Sequence, residues 1–172
     1  LTAFGNVCTN TTAGPNSFTI TGSNLTTANV DVGPLAGYTY STTSGGTYTS
    51  SLSITQPGGA FSQPVFVKFN PVAVQSYNGN ISVSGGGASS INIAAAGAGI
   101  NSAPSVTTGA ASAITTTNAT LAGSITATGC TAITVYGIEY SLTNGFANGT
   151  GTQVASTNLA GGNFTSDISG LT

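Results

Sequence analysis

Charge is what this chain has least of. Its 172 residues include one lysine and three carboxylates (Lys68, Asp31, Glu139 and Asp167), with no arginine and no histidine. An average globular domain is about one-quarter charged, so the water-facing surface here must be made of Thr, Ser, Asn, Gln and backbone. Each absence excludes a chemistry. One lysine cannot form the basic, phosphate-facing patch that nucleic acid requires. Without histidine there is no imidazole base for a hydrolytic triad. Three scattered carboxylates do not make the positioned pair that acid–base catalysis needs. Two distant cysteines leave zinc without a ligand set. A calcium ion held mostly by backbone carbonyls beside Asp31 or Asp167 is the only metal chemistry left open, since calcium-loop spacing is missing. No catalytic, cofactor-binding or metal-ligating residue is therefore expected. There is no run of 18 apolar residues, so no bilayer-spanning helix is expected. The glycine runs 85–87 and 161–162 lack a phosphate-binding context and read as turns.

What the chain has is regular alternation. Hydrophobic residues make up 39%, and a chain of this length can bury roughly 70% of its unfolded surface. Residues 64–99 read as three consecutive strands. Val65, Val67 and Phe69 share one face, then Tyr77, Ile81 and Val83, then Ile91 and Ile93. A period of two is what a half-buried strand requires. Shorter alternating runs at 4–7, 17–22, 29–33, 37–41 and 51–55 are separated by turn-rich stretches at 10–16, 44–46 and 57–59. No segment shows a capped 3.6-residue apolar period, so no helix is expected. About eight short strands at regular spacing predict a β-sandwich for residues 1–99. Residues 100–104 read as a linker. A second β series follows over 105–172, with strands around Val106, at 119–125, 134–140 and 153–155, and at 164–171.

Two resemblances accompany this pattern. FTITGSNLT, YTYST followed by a Gly-Gly turn, SSLSI, VFVKFNP, and the spacing Tyr77, Gly79, Ile81, Val83 resemble the immunoglobulin-like repeats of very large secreted proteins of the Bacteroidota. A more distant likeness is to the sandwich domains of the ASPM–SPD-2–hydin group. NATLAGSITATG, ITVYGIEYS, GFANGTGT and FTSDISGLT resemble the fibronectin type III-like repeats of the same proteins. The resemblance implies an all-β chain of two tandem immunoglobulin-like and fibronectin type III-like β-sandwiches. A sandwich of this type needs about 100 residues, so the second is expected to lack its last two strands. That fits a piece of a longer chain, or a domain completed by a strand from a neighbouring copy.

Few side chains stand out as candidate sites. Cys8 and Cys130 suit an oxidising compartment and could form a disulfide. They could equally be two separate thiols with partners elsewhere, or inert small residues. Tyr38, Tyr40, Tyr48 and Tyr77 could form a sugar platform, but three of them sit at strand spacing among aliphatics and read as core. Sequons at Asn10, Asn24, Asn80, Asn118, Asn148 and Asn163 mark exposed positions. The expectation is a non-enzymatic structural segment, a stalk or filament, of an extracellular, adhesin-like protein at the bacterial cell surface. Its partners would be neighbouring repeats, copies of itself in a fibre, or surface glycans. The alternatives are a glycan- or ice-binding module, or accessory domains of a larger secreted enzyme. Ice binding is weakened because the Thr-x-Thr stretches keep no fixed period.

Overall fold

The computed structural model describes residues 1–171 and contains only β-strands, turns and loops among them. The chain divides into two compact units, residues 1–101 and 102–172.

Unit 1 is built from nine strands: β1 (Gly5–Cys8), β2 (Ala13–Leu25), β3 (Val30–Val32), β4 (Tyr38–Ser41), β5 (Leu52–Ile54), β6 (Gly59–Phe69), β7 (Gly79–Gly85), β8 (Ala88–Ala95) and β9 (Gly97–Ile100). One sheet has the order β2-β6-β4 and a second the order β5-β3-β7-β8, while β1 pairs in parallel with β9. Alternation decides which faces meet. Val65, Val67 and Phe69 of β6 and Tyr38 and Tyr40 of β4 join Val30 and Val32 of β3 and Ile81 and Val83 of β7 in one buried cluster. The two sheets therefore bury their inner faces against each other, an all-β layering consistent with a β-sandwich. Phe69 anchors its aromatic part. Its ring centroid lies 4.9 Å from Tyr38, 5.4 Å from Tyr77 and 5.6 Å from Phe4.

Local sequence explains where strands turn and stop. In the β7–β8 hairpin, Gly85 pairs with Ala88, leaving Gly86 and Gly87 as the loop. Both loop residues have positive φ, 61° and 74°, the geometry of a two-residue turn that matches strand twist. Pro64 lies inside β6, which is the middle strand of its sheet. It is tolerated because β4 covers only Phe66–Phe69, so Pro64 has a ladder partner, Thr19, on one side alone.

The strands run longer than alternation suggested in several places. β2 begins at Ala13, inside the stretch read as a turn, and skips register around Pro15 between Ala13 and Asn16. β6 begins at Gly59, six residues before the alternating run starts at Val65. Ile100 belongs to β9 rather than to a linker, because β1 supplies it a partner from the other end of unit 1.

Unit 2 contains β10 (Ser105–Thr108), β11 (Asn118–Ala127), β12 (Gly137–Tyr140), β13 (Thr152–Ala155) and β14 (Asn163–Ser169). β10, β11 and β14 form one antiparallel sheet, and β12 with β13 a second. Its core is thin. Phe164 and Ile168 are the large apolar side chains buried here, whereas Val106, Ile114, Val135, Leu142 and Leu159 remain exposed. The 134–140 strand shortens to 137–140, leaving Val135 three-quarters exposed at 75%.

Candidate functional site

The four charged side chains sit on four different strands. Asp31 is exposed in β3, between Ser53 and Ser84 on the neighbouring strands. Lys68 of β6 places its ammonium 4.2 Å from the centre of the Tyr48 ring, a cation–π contact. Asp167 of β14 stands opposite Thr120 of β11 and accepts a 2.6 Å hydrogen bond from its hydroxyl. Glu139 of β12 is half-buried and has a structural task. Its two oxygens accept the backbone N–H of Gly149 (2.9 Å) and of Gly151 (2.6 Å), fastening the loop between β12 and β13. No three His, Cys, Asp or Glu side chains converge on a common point among the described residues.

Tyr38, Tyr40 and Tyr77 are core residues, not a platform. The Tyr38 and Tyr40 hydroxyls are buried without a hydrogen-bond partner of ordinary geometry. Burial pushes the Tyr40 phenol up to about 12, with the Tyr38 phenol adding to the shift and the Leu35 backbone opposing it as a weaker neighbour. Tyr38 is shifted in the same direction by burial. Tyr77 is used differently. Its hydroxyl accepts the N–H of Val72 (3.1 Å) and of Ala73 (3.0 Å), pinning the loop that leads into β7.

The residue that composition gave no reason to single out is Gln56. It is buried at 5% exposure, and its amide nitrogen donates to the carbonyls of Thr26 and of Ala28, the latter at 2.7 Å. Its side-chain oxygen accepts the N–H of Gly58 at 2.6 Å. One side chain thus satisfies three backbone groups in two loops. A Gln in a polar turn carries no sequence signal for this, because two of the partners, Thr26 and Ala28, lie about thirty positions away.

Cys8 and Cys130 are both in the disulfide state, and neither is a free thiol. Within unit 2, the Cys130 backbone N–H donates to the Ser102 carbonyl at 2.9 Å, and the Ser102 N–H lies 3.4 Å from its sulfur. All six sequon asparagines are exposed.

Two surfaces remain open for contact. In unit 2 a cleft of about 450 Å³ is lined by Val106, Ile125, Ile133, Ile138, Phe146 and Phe164, among others. Its walls are mostly apolar, and the carboxylate at its border, Glu139, has both oxygens engaged by the loop. Such walls can bury apolar atoms. In unit 1, β8 ends its sheet with Ile91 half-exposed at 51%. No helix is long and apolar enough to cross a membrane among the described residues. Compared with protein-family models and with curated proteins, the chain matches no family and no individual protein.

Proposed function

We propose that this chain is a structural segment, part of a stalk or filament of an extracellular bacterial surface protein, and that it performs no catalysis. The observation that carries this reading is how the few ionisable groups are used. Glu139 holds a loop, Asp167 ties two strands together, and Lys68 lies over an aromatic ring. Charge here serves the scaffold. The disulfide state of both cysteines supports an oxidising, exported setting. A water-facing surface of uncharged polar groups suits a scaffold exposed to changing salt and pH.

Several features support the immunoglobulin-like assignment of unit 1. The sheet orders support reading β2, β6 and β4 as strands B, E and D, and β3, β7 and β8 as strands C, F and G. Tyr77, two residues before β7, hydrogen-bonds backbone four and five residues upstream, as the tyrosine corner of that fold does. β5 is the departure: it returns to the second sheet to pair with β3. For unit 2, the order β10-β11-β14 in one sheet and β12-β13 in a second supports the fibronectin type III-like reading.

Negative-stain electron microscopy of material taken directly from the producing cells tests the reading. Thin extended fibres or surface stalks that bind antibody raised against residues 1–171 are expected. Labelling confined to the cell interior, or to globular particles free of any extended structure, would overturn it.

A further inference from the structure

An asparagine followed by glycine readily loses its side-chain amide, because glycine has no Cβ to hinder attack by its own backbone nitrogen. The chain holds three such pairs: Asn78–Gly79, Asn144–Gly145 and Asn148–Gly149. All three asparagines are exposed, so exposure does not rank them. Their hydrogen bonds do. Asn78 lies just ahead of β7, and its side-chain oxygen accepts the Gly97 N–H at 3.0 Å. Gly79 is already in the β7–β8 ladder opposite Ala95, half-buried, with a Leu35 methyl 2.8 Å from where a Cβ would stand. To bring Asn78 Cγ onto the Gly79 nitrogen, the side chain must release Gly97 and the strand must bend at its first residue.

In the pair 148–149 the attacking nitrogen itself is held. The Gly149 N–H donates to Glu139 at 2.9 Å, the Gly151 N–H takes the other carboxylate oxygen at 2.6 Å, and the Thr150 N–H closes a turn onto the Ala147 carbonyl at 3.1 Å. Attack needs the Gly149 proton removed, and an amide anion beside a carboxylate is disfavoured by like charge. Asn144–Gly145 carries neither restraint. Among the described residues, neither the Asn144 side chain nor the Gly145 N–H makes a hydrogen bond. The nearest bonded groups are the Thr143 N–H, which reaches the Ser141 hydroxyl at 3.1 Å, and the Ala147 carbonyl. Gly145 is exposed with a φ of +71°, and a Cβ built on it would meet nothing within 4 Å, so the Asn144 side chain has room to swing onto the backbone.

We propose that Asn144–Gly145 is a self-modification site, at which Asn144 deamidates spontaneously while the fold keeps Asn78 and Asn148 intact. Hydroxide removes the Gly145 N–H proton, and the nitrogen attacks Asn144 Cγ. The N–Cγ bond forms, the Cγ–Nδ2 bond breaks, and Nδ2 leaves as ammonia with a proton taken from water. The succinimide then adds one water. Opening at Cγ gives aspartate, and opening at the α-carbonyl gives isoaspartate, with the chain running through Cγ. In sum, an amide and water become a carboxylate and ammonium, with nothing oxidised or reduced. The product adds a fourth carboxylate to a chain that has three, in the same loop that Glu139 fastens. This chemistry belongs to the loop alone and does not depend on the function proposed above.

Peptide mapping by mass spectrometry tests it, on the whole folded chain held without reductant at mildly alkaline pH and sampled over weeks. Each asparagine is followed by the mass change from amide to acid, and isoaspartate by its enzymatic methylation. Asn144 is expected to convert about tenfold or more faster than Asn78 and Asn148, the factor that breaking one restraining hydrogen bond puts on a rate. In concentrated guanidinium chloride the three rates should draw together, since the unfolded pairs share one local chemistry. Glu139→Ala should speed Asn148 towards the Asn144 rate and leave Asn78 unchanged. If circular dichroism shows that variant unfolded, the folded and denatured wild type decide by themselves. Equal rates in the folded chain overturn the proposal, as does a faster Asn78 or Asn148, or an Asn144 that stays intact. So does an order that persists in denaturant, or a folded Glu139→Ala chain whose Asn148 rate is unchanged.

Discussion

Gln56 and Tyr40 show two opposite ways of burying a polar atom. Gln56 is buried with every polar atom engaged, so removing it strands the Thr26 and Ala28 carbonyls and the Gly58 N–H. Gln56→Leu is expected to lower unfolding stability by about 2–4 kcal/mol, read as a reduced urea midpoint with unchanged slope. Tyr40 is buried at 0% exposure with its hydroxyl lacking an ordinary partner. Tyr40→Phe removes only that unsatisfied group and is expected to be neutral or stabilising by up to about 1 kcal/mol. The raised phenol also sets a pH limit. The unfolded tyrosine ionises near 10 while the folded one holds its proton to about 12. Stability is thus fully present below pH 10 and falls between pH 10 and 12, by on the order of 2 kcal/mol from this residue. Denaturation curves across that range should show the decline in the wild type and a shallower one in Tyr40→Phe.

Among elements, the β12–β13 hairpin depends on a single carboxylate. Its loop holds Gly145 and Gly149 at positive φ and is closed by Glu139 through two N–H donors. Replacing the carboxylate by an amide turns one acceptor oxygen into a donor that faces another donor. Glu139→Gln is expected to cost about 1–2 kcal/mol locally. Hydrogen exchange should show it as faster exchange at Gly149 and Gly151, with the β2–β6 ladder unaffected. At Gly85, the φ of +106° and a Cβ position only 2.0 Å from the Asn29 carbonyl explain why the β7–β8 hairpin opens on glycine. Neither constraint is visible from the run of three glycines alone.

For the molecule as a whole, scarcity of charge makes stability insensitive to ionic conditions. Screening acts on charge–charge terms, and only four ionisable side chains other than tyrosine and cysteine exist to be screened. The urea midpoint is expected to shift by less than about 0.3 kcal/mol-equivalent between low and high sodium chloride. With no histidine, it should also stay flat from about pH 6 to 9. A large salt or neutral-pH dependence would show that charge contributes far more to this fold than its contacts indicate.

Alternation every second residue was legible along the chain because it is a local property of strands: Val65, Val67 and Phe69, or Ile81 and Val83, declare a buried face without reference to any partner. Composition likewise shows without any structure that the chain has one lysine, no arginine and no histidine. What only the tertiary structure decided were matters of distance in sequence. It determined that β1 closes on β9, that β2 tolerates Pro15 by skipping register, and that Gln56 ties its own loop to one some thirty residues away. Those outcomes depend on which strands become neighbours, and neighbours are chosen by the shared burial of faces drawn from the whole unit, a quantity no single stretch of sequence contains.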